Sequence, residues 1–559
     1  MLEGGEGVRD MRGVWAAALV AGLLGSSAAY GAAQPSRSGI WTIAKSEWSE
    51  ADEKGFSDFV RAIGRSGCTT LAECLKDPAN PYRDSDPGRL KFIADCADFP
   101  YMLRAYYAWK NGLPFAYVSA VSGKGADIRF EGGNRPSSRR ELIDRGGGLP
   151  ALQILQQIHE GVWSATYRTH PGQQGGILPD FYSPKMQPGT IRPGTAIYDV
   201  NGHVGIVYDI EEDGRIAYME AHPDFTVTRS VFGAQFGQSP ARLGGGIKNW
   251  RPLKLVGAKN AGGRLVGGHF EFAENNEIPD FSLEQYTGNV PGTFGDGDNA
   301  RFAYNNVELG FYEYVRVAVS GGKMTYNPVY ELRSTMRTLC NDLKDRALYV
   351  DMAIRDRINL KPHPARLPDN IYTASDAEWE SYSTPSRDAR IKTAFAQLYI
   401  DMQKMIFFWE QRDPRIVYDG LFLKEDLQKM YAEEASACSI AYANSRRQPV
   451  TLGFDDIVKR LFLMDFDPYH CIERRWGAGG AELATCTEDA TKARWYRAEQ
   501  RLRNQIDRTY DVPMGFSVAQ LESEVDNSGA DVPPTIDVKA LIDRIGERVA
   551  FTGMKPVGR

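Results

Sequence analysis

Hydrophobic spacing divides the chain into stretches of different period. In "WSEADEKGFSDFVRAIG" (48–64), Phe56, Phe59, Val60 and Ile63 recur at helical spacing behind a Ser N-cap candidate. "IADCADFPYMLRAYYAWK" (93–110) predicts a second helix, with Cys96 at its head, and "ALQILQQIHEGVWSATYR" (151–168) a third. The period then changes to two. "TAIYDVNGHVGIVYDIEEDGRIAYMEAHPDFTVTRSVF" (195–232) alternates and is broken at Asn-Gly and Asp-Gly, predicting three or more antiparallel strands. "GGGIKNWRPLKL" (244–255) reads as a closing strand. Helical period returns from about 326. Leu332, Met336, Leu339, Leu343, Ala347, Val350 and Ile354 form one stripe, and Ile391, Phe395, Leu398, Met402, Met405 and Trp409 another. Both read as core-facing helix faces. Further helices are predicted near 423–443, 454–463, 489–508 and 536–549. The fold class is therefore α+β with a small antiparallel sheet, followed by a mostly α-helical C-terminal domain.

The expected organisation is 1–33, a signal peptide; 34–255, the α+β domain; 256–325, a Gly/Asn-rich connecting region; and 326–559, the helical domain. At the N-terminus, Arg9 and Arg12 precede the apolar run Val14–Leu24 and a small-residue tail ending near Ala33, the pattern of a secretory leader. The run is shorter than the ~20 residues a bilayer requires. The protein is thus expected to be exported, periplasmic or secreted, without a membrane span after cleavage. A net charge of −6 over 559 residues gives no electrostatic case for nucleic acid. The Gly- and Arg-rich stretch 121–148 reads as a long surface excursion, and its Lys124, Arg129, Arg135, Arg139 and Arg140 as a solvated basic face more than as a site for anionic peptides.

Export makes the seven cysteines informative, because disulfides persist outside the cytosol. Cys68 and Cys74 are close in sequence, Cys471 and Cys486 bracket a loop, and Cys340 and Cys438 share the helical region. Pairing them in that way leaves Cys96 free, one of fifteen connectivities open to the six. A thiol at a helix start feels the N-terminal dipole, which favours thiolate. Such a nucleophile needs a base. His203 opens the apolar strand "HVGIVYDI", and period two puts Glu220 and His222 on one face of the next strand, where either can orient the imidazole.

The ordered set "DCADF" (95–99), "RPGTAIYDVNGHVGIVYDI" (192–210) and "MEAH" (219–222) resembles the NlpC-type cell-wall cysteine peptidases and the related CHAP amidases. The resemblance covers about 130 residues. Thr195 stands where those families usually carry Asp, and the Cys-to-His separation is longer than theirs. It implies a papain-like domain with Cys96 as nucleophile, His203 as general base and His222, or Glu220 as a close second, as the orienting residue. Asp95 and Asp98, which flank the nucleophile, are expected to contact substrate. The implied activity is hydrolysis of amide bonds, in peptidoglycan peptides, through a thioester. A non-catalytic wall-binding protein on the same scaffold and a thioester-forming acyltransferase are the alternatives. The expected partners are peptidoglycan or peptide substrate, and a protein partner for the helical half.

No cofactor or metal is expected. "GDGDNARF" (295–302) offers Asp296, Asp298 and Asn299, but Arg301 and Val307 stand where a calcium loop needs Gly and Glu. Asp465, Asp467, His470 and Cys471 have ligand chemistry, which a disulfide at Cys471 argues against. His159 and His170 are expected to be exposed, and His269 and His363 to sit in loops.

Overall fold

In a computed structural model, residues 39–546 are described, apart from 89–91, 125–127, 212–213, 234–235, 291–299, 324, 372–376, 383 and 507–511. The expected leader and the "GDGDN" stretch, with Asp296, Asp298 and Asn299, lie outside the described residues. The described residues lie in one compact unit; one apolar cluster continues through 255 to Phe270, and the passage near 325 falls between a cluster ending at Val319 and one starting at Tyr326.

Six strands build the central antiparallel sheet: β1 (Phe181–Tyr182), β2 (Ala196–Asp199), β3 (His203–Ile210), β4 (Ile216–Ala221), β5 (Val227–Val231) and β6 (Gly246–Trp250). Their order is β1-β6-β2-β3-β4-β5. The alternation seen in the sequence separates the two faces. Ala196, Tyr198, Val204, Ile206, Met219 and Ala221 pack into one apolar cluster with helices α1 (Glu50–Arg65) and α2 (Asp98–Asn111). Ile197, Val207, Ile216, Tyr218 and Ile247 face the other way, onto helix α4 (Phe311–Val319). Residues 302–319 therefore join the sheet's packing, covering that face together with Met186, Ile191 and Phe232.

Ser49 caps α1 in a reciprocal box with Asp52. α2 is the central helix: it is buried nearly all round, even at Arg104 and Lys110. Asp95 accepts the Ala97 and Asp98 backbone N–H groups (2.9 and 3.3 Å), Pro100 sits in the first turn, and Gly112 closes the helix at φ +64°. Helix α3 (Ala151–Gly161) packs beside it. The expected excursion at 121–148 is largely a hairpin, Ala116–Ser122 paired with Arg135–Glu141; Arg139 is anchored in an ion pair with Asp180 at 3.0 Å.

In the C-terminal half, α5 (Pro328–Arg355), α6 (Thr384–Glu410) and α7 (Leu423–Ala437) bury the two stripes read from the sequence. Helix 423–443 stops at Ala437. Ser439–Ala443 pair with Pro449–Gly453 as a hairpin, since alternate residues there, Ile440 and Tyr442, are the buried ones. The cysteines stand paired as Cys68–Cys74, Cys340–Cys438 and Cys471–Cys486. No described helix is long and apolar enough to cross a membrane.

Candidate active site

Cys96 carries the one free thiol among the described residues. It precedes α2 and borders a cavity of about 270 Å³. β3 meets it from across that cavity. Gly202 adopts φ +93°, a left-handed conformation that a side chain resists, and its carbonyl oxygen lies 3.9 Å from Cys96 Sγ. The Val204 backbone N–H reaches the same sulfur. The thiol thus sits against the backbone on both sides of His203, and both side chains line the cavity.

His203 is held from behind. Its Nε2 donates to Glu220 Oε2 at 2.6 Å, from the next strand. His222 Nε2 donates to Thr228 Oγ1 at 2.8 Å, and the Thr228 hydroxyl lies 3.4 Å from Glu220 Oε1. The two imidazoles stack, with centroids 5.3 Å apart and 18° between planes. Glu220, the second choice from the sequence, is therefore the group that orients His203, and His222 lies alongside. Burial and the nearby Arg387, His203 and Arg390 charges push His222 far below the usual histidine range, so it stays neutral. Burial alone would raise Glu220; the His203 imidazole and the Arg390 and Arg387 guanidiniums overcome it and hold the carboxyl at about 2.

The thiol itself departs from expectation. Burial raises it well above its ordinary value, and the Asp95, Asp98 and Glu220 carboxylates add to that against the Val204 N–H. The helix begins only at Asp98, two residues past the thiol. Asp98 cannot contact substrate, being fully buried and bonded to His159. Burial lifts its carboxyl to about 8 against the pull of His159. His159, expected in solvent, is the partner that fixes it. Asp95 does border the cavity, with Oδ1 committed to the helix cap. His170 and His269 are exposed, and the His363 side chain is fully buried.

The cavity has a second wall that no sequence motif announced. Pro368, Ile371, Trp379 and Arg390 from the C-terminal half line it together with Arg129, Phe130 and Trp163. A buried bidentate pair fastens that wall to the β4–β5 turn: Arg387 reaches Asp224 at 2.9 and 3.0 Å and Thr226 Oγ1 at 3.0 Å. A larger groove, about 660 Å³, lies beside Trp48, Arg104 and Trp250, away from the thiol. Its Arg104 is spent on Glu53. Donor atoms of His203, Glu220 and His222 lie within 4.8 Å of one another, near enough to share a metal. Both Nε2 atoms, however, are already engaged in short hydrogen bonds within the protein.

Compared with family models, curated proteins and solved structures, the chain matches none.

Proposed function

We propose that the protein is an exported thiol hydrolase of papain-like type that cleaves amide bonds, with peptidoglycan peptides as the substrate class. The observation that carries this reading is a free thiol and a carboxylate-anchored imidazole converging on one cavity. With Nε2 donating to Glu220, the His203 tautomer leaves Nδ1 as the base. Because the resting thiol is protonated, Cys96 is activated by transfer to His203 as substrate enters, not by a standing thiolate. The sulfur adds to the amide carbonyl, and the Cys96 backbone N–H is the proposed oxyanion donor, a contribution of roughly 3 kcal/mol. The imidazolium passes its proton to the leaving amine as the C–N bond breaks. Water, deprotonated by His203, then cleaves the thioester and restores the thiol. An amine in place of water would make the same site an acyltransferase. Arg129 and Arg390 bring positive charge to the cavity wall, suited to the carboxylates of wall peptides. Three disulfides fit an oxidising compartment.

The test is digestion of purified cell wall, with mass analysis of released fragments, by wild type and by Cys96→Ala. Release by wild type alone supports the reading; equal release from both defeats it. The second reading, a non-catalytic wall-binding protein on this scaffold, is favoured by the raised thiol. Retained wall binding with no release by either protein would select it.

A further inference from the structure

The helical half holds a second gathering of histidines and carboxylates, far more enclosed than the first. Asp465, Asp467, His470 and Glu499 are each fully buried. Each aspartate commits one oxygen to the backbone two residues on: Asp467 N–H donates to Asp465 Oδ1 (3.2 Å) and Tyr469 N–H to Asp467 Oδ1 (2.7 Å). Their other oxygens turn toward His470. From His470 Nε2, Asp465 Oδ2 lies at 3.8 Å, Asp467 Oδ2 at 3.6 Å and Glu499 Oε2 at 3.5 Å. The opposite ring nitrogen, Nδ1, donates to Glu488 Oε2 at 3.1 Å, and Glu488 is itself held by the Cys471 N–H and by Arg474.

One ring nitrogen is thus engaged by Glu488, and the other, Nε2, faces three carboxylate oxygens. His470 Nε2 and both oxygens of Glu499 are buried without any hydrogen-bond partner. Three carboxylates and a ring nitrogen gathered in a sealed interior are strongly unfavourable unless a proton or a metal cation lies among them, and the gathered donors suit a metal.

We propose that these atoms bind a transition-metal dication of the zinc class, held by His470 Nε2, Asp465 Oδ2 and Glu499, whose donor atoms all lie within 4.8 Å of one another, with Asp467 Oδ2 beside them. Ligands about 2.0–2.1 Å from a tetrahedral zinc stand roughly 3.4 Å apart. The three separations from Nε2, 3.5 to 3.8 Å, are of that size. Glu488 on Nδ1 is the outer carboxylate that fixes a ligating imidazole. Two more groups hold the ligands from behind: Arg503 Nη1 reaches Asp465 Oδ2 at 2.9 Å, and His363 Nε2 reaches Asp467 Oδ2 at 2.6 Å. Three carboxylates are offset by the dication and the Arg503 guanidinium. An imidazole ligand selects against calcium and magnesium, which favour all-oxygen sites. The enclosure of all three ligands marks the ion as structural, tying Glu499 to the 465–470 segment. Cys471 is in its disulfide, so the metal reading set aside on the sequence returns with Glu499 as the ligand in its place.

The experiment uses the full chain in a Cys96→Ala/His203→Ala background, so that the thiol cavity cannot supply ligands. Protein stripped by chelator is titrated with Zn²⁺ alone. One zinc bound per chain, a rise in Tm and a change in tryptophan fluorescence are expected; Trp495 stacks on His363 at 4.2 Å. Glu499→Gln keeps the side-chain shape and removes a buried carboxyl ligand. Its metal-free Tm should match or exceed that of the parent, while zinc affinity falls at least about tenfold. Cobalt(II) bound to the parent, and to the wild-type chain, should give the visible absorption of a tetrahedral site, a readout that does not depend on the folding of Glu499→Gln. No zinc uptake at millimolar concentration, undiminished affinity in Glu499→Gln, or tighter binding of Ca²⁺ than of Zn²⁺ would overturn the proposal. None of these outcomes bears on hydrolysis, because the background lacks the thiol and the base.

Discussion

The cavity at Cys96 and the enclosed cluster at His470 use the same side chains to different ends. Around Cys96, each imidazole Nε2 has a single close partner, Glu220 for His203 and Thr228 for His222, and the His203 ring keeps some exposure beside open volume. Around His470, three carboxylates converge on one nitrogen that bonds none of them, and nothing opens to solvent. A histidine–carboxylate pair alone does not separate chemistry from scaffolding. What separates them is whether the lone pairs are already satisfied and whether a reactant can reach them.

The sharpest way to break that contrast is at the sulfur. Cys96→Ala should lower fragment release from cell wall by about 10⁴-fold or more. Next comes the orienting group. Glu220→Gln should lower kcat by about 10³-fold with KM little changed, whereas His222→Ala should cost less than about tenfold. Reversed sizes would return His222 to the role first expected of it. In the enclosed cluster the loss should appear as stability. Asp465→Asn removes the partner of buried Arg503 and should cost about 3 kcal/mol in urea denaturation. A smaller effect concerns the thiol. Because its pKa is raised, alkylation by iodoacetamide should be slow at pH 7 and climb about tenfold per pH unit beyond pH 9, with no plateau near neutrality. An acid effect is comparable with the stability loss given for Asp465→Asn. Glu220 titrates at about 2 in the fold and at ~4.3 unfolded, so its contribution to stability is complete above ~4.3 and is lost as pH falls toward 2. Acid unfolding of Glu220→Gln should lack that component.

Much of the first site was legible because it is local. The period-two run and its Asn-Gly turn deliver His203 to the start of a strand, and the following strand delivers Glu220 two residues before His222. The choice between those two was not legible, since it depends on which side chain reaches Nε2 across the sheet. Nor was the fate of the thiol: the sequence reveals the helix start, but the depth of Cys96 and the approach of Asp98 depend on packing with α3 and His159. In the helical half the Asp-x-Asp-x-x-His run was visible, while Glu499 and His363 reach it only through the tertiary path. The packing of 302–319 under the sheet left no signal, because Gly- and Asn-rich flanks obscured a nine-residue helix.

The Arg387–Asp224 link has a practical meaning for anyone dissecting this chain. A fragment ending at residue 325 would retain thiol, imidazole and carboxylate yet forfeit Ile371, Trp379 and Arg390 from the cavity lining. Part of that lining stands more than 160 positions downstream of His203, so the proposed hydrolysis has to be tried on the whole molecule and not on its N-terminal portion.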